Sequence, residues 1–246
     1  MSSIPPLPPI ACTHEPCASV PVDLLVIPWF EGERTGTVAE LGAVGATAEI
    51  SRALAAGEFL GKPFDTFVTG VTEVGWIAKR VMLVGAGPAD RFDTDTARRV
   101  AATAALSARQ RRIGRVGLVL RCGRGSAAGD VDVAGHAQAV AEGLTLGEFV
   151  VGRYKSDDPT PPVPAWTIVI PDVPDTSPES QARIDAFVTR GRILGQASNL
   201  ARELANEPGN VLTPRLFAER AAAIASAAGV SVEVLDEHQK IGRAHV

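Results

Sequence analysis

The chain has 246 residues, and its 46% hydrophobic and 21% charged residues are typical of a globular protein rather than a disordered or fibrous one. Its formal net charge of −4 argues against a nucleic-acid partner, since affinity for nucleic acid comes mainly from Lys and Arg that neutralise phosphates. The N-terminus lacks the basic run and apolar core of a secretory signal, and no stretch approaches the ~20 apolar residues of a membrane helix. A cytoplasmic location without a membrane partner is expected.

The cysteines and histidines do not suggest a metal site. Cys12, Cys17 and Cys122 cannot all pair within one chain, and a C-x4-C spacing without a second ligand pair is a poor zinc signal. The four histidines show no spacing that would place two on one helix face, and the chain lacks H-E-x-x-H and G-x-S-x-G motifs. The histidines are His14, His136, His238 and His245.

The N-terminal segment is rich in proline. Four prolines in the first nine residues predict an extended, mobile leader, which we assign to residues 1–20. Order is expected to begin near Val22. The elements predicted next are a strand at 22–29, an Ala-rich helix within 39–59, and strands at 66–71 and 80–84.

From residue 80 onward, predicted strands and helices alternate regularly. Such alternation implies right-handed βαβ units, so the predicted fold class is α/β, with a mixed, largely parallel sheet flanked by helices. We assign this domain to residues 21–176. Its further elements are a helix at 93–110, a strand at 115–120, a Gly-rich turn at 123–129, a helix at 132–151, a Pro-rich loop at 158–164 and an apolar strand at 166–170.

A long helix is predicted after this domain. Ser177-Pro178 is a strong helix start, and one face stays apolar as far as Ala205, so residues 177–207 are predicted to be a linker helix. Glu207-Pro208-Gly209 ends it. Thr213-Pro214 starts a second helix that ends at Gly229, a strand is predicted at 230–235, and residues 208–239 are assigned to the beginning of a second domain.

Two glycine-rich segments are candidate anion-binding turns. Gly85-Ala86-Gly87 resembles the start of a dinucleotide fingerprint, but Asp90 stands where the third glycine would be, so a tight βα turn is favoured over phosphate binding. Residues 123–129, with Arg121 and Arg124 nearby, could hold an anion through backbone N–H groups. A surface loop is favoured there, because the Lys-Ser/Thr ending of a P-loop is missing.

The paired acids have a structural interpretation. Asp93/Asp95 and Asp130/Asp132 lie where helices are predicted to begin, and carboxylates there cap N–H groups and favour the helix dipole. His136, one turn into a helix, is predicted to be a packing or surface residue rather than a metal ligand.

The segment from Ala201 to Pro214, ARELANEPGNVLTP, resembles the passage that joins the two domains of leucyl aminopeptidases, the cytosol aminopeptidase family. The resemblance extends upstream to the strand 22–30, to Gly57–Lys62 and to RVMLVGAGP at 80–88, so it covers about 22–239. The matching residues of the linker passage are Arg202, Leu204, Asn206, Glu207, Pro208, Asn210, Leu212, Thr213, Pro214, Gly229 and the VEVLDE run at 232–237.

The resemblance implies an N-terminal α/β domain similar to macro domains, a linking helix and a larger catalytic domain. That catalytic domain binds two divalent metals, Mn or Zn, which bind the amine and carbonyl of a peptide substrate and activate a bridging water. Family members release N-terminal amino acids from peptides and form homohexamers. The family's metal-ligand passages, V-G-K-G-x-x-F-D-[ST]-G-G and N-T-D-A-E-G-R, are absent from this sequence. No catalytic, cofactor-binding or metal residue is therefore assigned, no metal is expected in this chain, and the chain by itself is expected to be inactive.

The final residues do not continue the pattern. Residues 240–246, ending in IGRAHV, have no periodicity or capping logic and match one reading frame of a common sequencing adaptor, so we expect them to be non-native. Two alternative functions stay open from the sequence. One is a macro-like module that binds a nucleotide or ADP-ribose at the loops 85–90 and 123–129, and the other is a role in assembly.

Overall fold

The computed structural model of the chain describes residues 9–37, 45–122, 132–150, 160–171 and 177–235. It separates into two compact units, residues 1–199 and 200–246. Within the described ranges of the first unit, six strands form one sheet in the order β1-β6-β5-β2-β4-β3, in which only the β3–β4 pair is antiparallel. The predicted α/β class with a mixed, largely parallel sheet is confirmed. The strands are β1 (Ile10–Thr13), β2 (Leu24–Phe30), β3 (Thr66–Gly70), β4 (Arg80–Gly87), β5 (Arg115–Val119) and β6 (Ala165–Val169).

Both faces of the sheet are covered by helices, as the continuous apolar strands predict. Alternate residues of β2 point to opposite faces. Leu24 and Val26 join a cluster with α2, α3 and the first part of α4, whereas Leu25 and Ile27 join a cluster with α1. The helices are α1 (Thr47–Ala55), α2 (Thr94–Gln110), α3 (Val133–Gly147), α4 (Pro178–Asn206) and α5 (Pro214–Ala227). Among the residues described, none of these helices has both the length and the apolar character to cross a membrane.

Strand β1 corrects the prediction that residues 1–20 are a leader. Ile10–Thr13 pairs in parallel with β6, and Trp166 N donates to the carbonyl oxygen of Pro9 at 3.2 Å. Cys17 and Val20 are buried as well. The proline content predicted a leader, but the sequence Ile-Ala-Cys-Thr suits the edge of a sheet. Its backbone also satisfies hydrogen-bonding groups of β6. Residues 1–8 lie outside the described part of the chain.

Glycines allow helices α3 and α4 to approach closely. A Cβ on Gly191 would lie 2.2 Å from the carbonyl oxygen of Gln138, and one on Gly195 would lie 2.7 Å from the Thr145 side chain. Ile184 and Val188 of α4 are also buried, in the core cluster that includes residues of α2 and α3. The first compact unit therefore includes α4 as far as Asn199 and extends beyond the predicted domain boundary at residue 176.

The second unit contains the end of α4 and helix α5. Helix α5 is capped as predicted by Thr213, whose side chain accepts a hydrogen bond from Leu216 N. Its last residue is Ala227, and Gly229 follows the C-cap with φ of +73°. The predicted strand at 230–235 is wrong, since these residues have no strand geometry and no described strand lies beside them in a sheet. An apolar strand sequence needs a neighbouring strand to accept its backbone hydrogen bonds.

Two other predicted helices are shorter than expected. Helix α1 ends at Ala55, because Gly57 adopts a φ of +70°, and residues 39–44 of the predicted helix lie outside the described ranges. Helix α3 ends at Gly147 and not at residue 151. Its C-cap, Glu148, turns its side chain into the core and bonds to the segment that leads into β6.

Candidate functional site at the carboxyl edge of the sheet

The connections leaving β2 and β5 run to opposite faces of the sheet. The chain after β2 proceeds to α1 on one face, and the chain after β5 proceeds to α3 on the other. Open α/β sheets bind ligands where the connections of two adjacent strands diverge in this way, just beyond the carboxyl ends of the strands. We call the space between the ends of β2 and β5 the switch crevice. Its position in the fold makes it the candidate ligand-binding site.

A buried ion pair occupies the switch crevice. Arg121, just after β5, donates from Nη1 to Glu33 Oε2 at 2.8 Å and from Nη2 to Glu33 Oε1 at 2.6 Å. Nη1 also donates to the carbonyl oxygen of Pro28 at 2.8 Å. The Arg121 and Glu33 side chains are only 4% and 10% exposed. Since a buried charge is costly unless it is paired and hydrogen-bonded, this bidentate geometry stabilises both groups.

Aromatic rings extend from the ion pair toward helix α3. The Arg121 guanidinium lies 4.6 Å from the centroid of the Phe30 ring, which packs edge-on against Phe92 at 5.1 Å. Phe92 stacks loosely on His136, with ring centroids 6.3 Å apart. His136 was predicted to be a packing or surface residue, and its burial agrees with packing; its Nδ1 lies 3.0 Å from the carbonyl oxygen of Asp132. Its Nε2 has no hydrogen-bond partner among the described residues.

Gly85 and Gly87 do not form a phosphate cradle. Gly85 N donates to the Asp65 carbonyl at 2.8 Å, and Gly87 N donates to the Gly61 carbonyl at 2.9 Å, so the N–H groups that would hold an anion are already used. Both glycines lie inside β4 rather than in a tight βα turn, with a bulge between them where Trp29 pairs with Gly85 and Phe30 pairs with Gly87. The turn prediction is therefore wrong in position, and the N–H groups of Gly85 and Gly87 are not available to bind a phosphate.

Close backbone packing explains why glycine occupies position 85. A Cβ on Gly85 would lie 1.8 Å from the Lys62 carbonyl oxygen, and a Cβ on Gly61 would lie 2.7 Å from the Phe30 carbonyl oxygen. Three passages that carry the family resemblance, those around residues 22–30, 57–62 and 80–88, thus meet at one point of the sheet. These three passages share close packing of backbone against backbone, and not a catalytic group.

Two of the four acidic residues at the predicted helix starts, Asp93 and Asp132, act as caps, as predicted. Asp93 Oδ1 accepts hydrogen bonds from Thr96 N and Thr96 Oγ1, both at 2.8 Å, and the bond from Thr96 N is the main reason why the pKa of Asp93 lies below its usual range. Asp132 Oδ1 accepts from Gly135 N at 3.0 Å. Asp95 pairs with Arg98 at 2.8 Å. Asp130 and the loop 123–129, with Arg124, lie outside the described residues.

The described residues do not assemble a metal centre. In the ranges that the structure covers, no group of three or more His, Cys, Asp or Glu side chains is placed to hold a metal ion. Both ring nitrogens of His14 are instead in hydrogen bonds within the chain. Nδ1 lies 3.2 Å from the Ile170 carbonyl oxygen, and Nε2 bonds to Gln181 Oε1. No disulfide joins Cys12, Cys17 and Cys122, and burial raises the pKa of the Cys12 thiol to about 12.

The linker passage forms a tight turn in the second unit. Glu207, which ends α4, pairs with Arg220 of α5 at 2.5 Å and is almost fully buried. The Pro208 carbonyl accepts hydrogen bonds from Val211 N and Leu212 N at 2.8 and 2.9 Å. The family signature in this segment is therefore explained by helix ending, turn and helix capping rather than by catalysis.

Sequence reasoning missed Glu33, which the structure places at the centre of the switch crevice. The sequence associates Arg121 only with the Gly-rich loop at 123–129, whereas in the structure its guanidinium bonds to a residue 88 positions away. One signal was available. An arginine directly after a buried strand must be desolvated, and a buried guanidinium requires a carboxylate partner. Nothing in the sequence identifies which carboxylate that is.

Comparison with known proteins agrees with this fold. The profile of the cytosol aminopeptidase family, N-terminal domain, matches residues 26–158. A probable cytosol aminopeptidase of Solibacter usitatus is 33% identical over 237 residues, which covers 95% of this chain and 43% of the relative. One of Syntrophotalea carbinolica is 33% identical over 235 residues, covering 91% of this chain and 44% of the relative. The chain thus spans less than half the length of these curated relatives.

Solved structures share the fold. A mutant of tomato leucine aminopeptidase superposes with a TM-score of 0.73 at 23% identity, covering 98% of this chain and 47% of the other. The bottromycin maturation enzyme BotP gives a TM-score of 0.63 at 24% identity, covering 90% and 41%, and a BotP structure in complex with Mn gives 0.62 at 23% identity. The six-stranded α/β unit is of the kind found in leucine aminopeptidase. Because the family profile matches more than half of its 246 residues, the chain belongs to the cytosol aminopeptidase family, a family of hydrolases.

Proposed function

We propose that this chain is the N-terminal, non-catalytic part of a metal-dependent leucyl aminopeptidase that releases N-terminal amino acids from peptides. The observation that carries the proposal is the profile match to the family's N-terminal domain at residues 26–158, together with coverage of only 43% of a curated relative. The sequence also lacks both metal-ligand passages of the family. In this proposal, the first unit has a structural or assembly role, and peptide binding and hydrolysis belong to residues beyond this chain.

The metal ions of the parent enzyme are assigned to the same missing part. BotP is known in complex with Mn, which supports metal dependence of the parent. Among the described residues, no cluster of potential ligands fits such a centre, so no step of the hydrolysis is assigned to a residue of this chain. Two divalent ions, Mn or Zn, and a homohexameric parent are part of the proposal.

The proposal is tested by assaying the purified 246-residue chain for hydrolysis of leucine amides. No turnover is expected with or without added Mn²⁺ or Zn²⁺, because the residues that would bind two metals are absent. A full-length relative assayed under the same conditions is the positive control. Turnover that copurifies with the chain and is abolished by a chelator would overturn the proposal.

A further inference from the structure

We propose that the amino-terminal edge of the sheet is a docking surface for an acidic segment of another protein. The surface consists of four cationic side chains around the Asp23 carboxylate, and we call it the cationic edge. Its cations are Lys79, Arg80, Arg112 and Arg115. The inference is independent of the proposed aminopeptidase function.

The sheet topology brings these residues together. Strands β4, β2 and β5 are parallel neighbours, so their first residues share one edge. Arg80 begins β4 and Arg115 begins β5, and both strands are in register with Leu24 of β2. Since neighbouring strands lie ~4.8 Å apart, the backbones of the two arginines are about 10 Å apart. Carboxylates two to four residues apart in an extended segment span about 7–13 Å and match this distance.

The Asp23 carboxylate is shared between two of the cations. Asp23 Oδ1 accepts a hydrogen bond from Arg115 Nη2 at 3.0 Å, and the Arg115 side chain is still 58% exposed. Hydrogen bonding from Arg115 lowers the pKa of Asp23, and the charge of Lys79 also lowers that pKa, which indicates that Lys79 lies near the same carboxylate.

The other positive charges of the cationic edge are not neutralised. Lys79, Arg80 and Arg112 are exposed, and none of them forms an ion pair with a residue in the described ranges. Glu73, in the hairpin that precedes Lys79, accepts a hydrogen bond from Thr47 N at 2.6 Å instead. Because clustered like charges repel one another, an anionic partner would stabilise this edge.

Arg112 occupies a backbone position that favours glycine. It follows the C-cap of helix α2 and has a φ of +54°. Arg112 N donates to the Arg109 carbonyl at 2.9 Å, and Ile113 N donates to the Ala108 carbonyl at 3.2 Å. These bonds define a Schellman motif, in which glycine is the usual residue at the left-handed position. A strained arginine at an exposed turn points to a role for its side chain.

The charge distribution fits a short acidic segment better than a nucleic acid. Four cations and one carboxylate give the cationic edge a charge of +3 in a chain of net charge −4, so the remaining residues together carry −7. A long polyanion would lie against this negative remainder. An acidic segment of a few residues stays within one Debye length, about 10 Å, of the cations.

The proposal is tested by the binding of a fluorescent hexaglutamate peptide to the 246-residue chain. Fluorescence anisotropy should show a dissociation constant of roughly 1 mM or tighter in about 20 mM salt, and binding should weaken at about 150 mM salt. An oligothymidylate of equal charge is the nucleic-acid probe. No binding of the peptide, or tighter binding of the oligothymidylate, would overturn the proposal.

Charge reversal shows whether the cationic edge is the surface that binds. Arg80→Glu combined with Arg112→Glu should weaken peptide binding about tenfold or more. The control combines Arg99→Glu with Arg190→Glu, which changes the net charge equally at exposed positions of α2 and α4. Equal weakening in both double variants would overturn the proposal, because net charge alone would then explain the binding.

Arg112→Gly separates binding from folding. Glycine relieves the left-handed strain, so the melting temperature should rise by roughly 1–3 °C, while peptide binding should weaken about two- to fivefold. This variant also keeps the proposal testable if the charge-reversed chain does not fold. A stabilised Arg112→Gly chain that binds the peptide as tightly as the unaltered chain would contradict the proposal.

Discussion

Gly85 belongs to a passage that resembles the family, but its role is in packing and not in catalysis. The Lys62 carbonyl oxygen lies where the first side-chain atom would be placed, so only glycine lets the two backbones meet. The glycine pair after an apolar strand predicts a tight βα turn, whereas the structure shows two glycines within β4 that allow close backbone packing. A sequence reveals that glycine is present, but not which backbone approaches it.

Replacing Gly85 with alanine should destabilise the chain. The new Cβ would lie 1.8 Å from the Lys62 carbonyl oxygen, and neither backbone segment can move without breaking hydrogen bonds. A loss of about 1–3 kcal/mol or more in the free energy of unfolding is expected in urea titrations. Gly70→Ala is the matched control in the antiparallel edge strand, since a Cβ there meets nothing within 4 Å. The control should be neutral or slightly stabilising, and equal losses in both variants would contradict the packing argument.

Glu148 makes stability depend on pH. Its carboxyl is buried and accepts hydrogen bonds from Trp166 Nε1 at 3.0 Å and from Val163 N at 3.3 Å. Burial raises the pKa of Glu148 above its ordinary value of 4.5, although those two bonds and the nearby charge of Arg109 oppose the rise. The folded chain therefore holds this proton more tightly than the unfolded chain does.

The sign of this effect can be measured with Glu148→Gln, which keeps an acceptor for Trp166 but carries no titrating proton. The contribution of Glu148 is fully present below pH 4.5 and is lost as the pH rises through the folded-state pKa. The free energy of unfolding of the unaltered chain, minus that of the variant, should therefore fall between acidic and neutral pH. A difference that stays flat or increases over this range would contradict the assignment.

At the scale of elements, the sequence predicted the βαβ alternation well, because helix caps and continuous apolar strands are local signals. Asp93, Asp132 and Thr213 cap their helices as expected. Two predictions were wrong because the signal they needed is not local in the sequence. Strand β1 was missed and a strand at 230–235 was wrongly expected, since a strand depends on a partner distant in sequence. The Arg121–Glu33 pair was missed for the same reason.

Helix α5 should be the least protected helix of the chain. It is well capped but buries none of its residues, and Phe217 and Ile224 are 50% and 41% exposed. Because an amphipathic helix gains most of its stability from packing, amide hydrogens at 218–227 should exchange much faster than those of β6. Hydrogen exchange read by mass spectrometry or NMR measures this directly. Protection of α5 equal to that of Ala165–Val169 would show that the helix has a packing partner.

Across the whole molecule, the residues that the structure describes form a scaffold and do not assemble an active site. The first unit has a well-packed sheet covered on both faces, and its switch crevice is filled by its own ion pair. The second unit contains the capped turn and helix that carry the linker signature. The resemblance in the sequence rests mainly on a passage whose residues act in turns and caps, whereas family membership rests on the profile match at residues 26–158. The chemistry of the family could be inferred only through that resemblance.

The central claim is that these residues are the N-terminal part of a two-metal aminopeptidase. The most direct measurement is to sequence the source locus from codon 200 through ~300 codons past Val246, enough for a second domain. The expected result is an open frame that departs from the printed sequence near residue 240 and continues into V-G-K-G and N-T-D-A-E-G-R passages. A genomic sequence that encodes IGRAHV followed directly by a stop codon would contradict it, and the peptidase family would then describe only the ancestry of the chain.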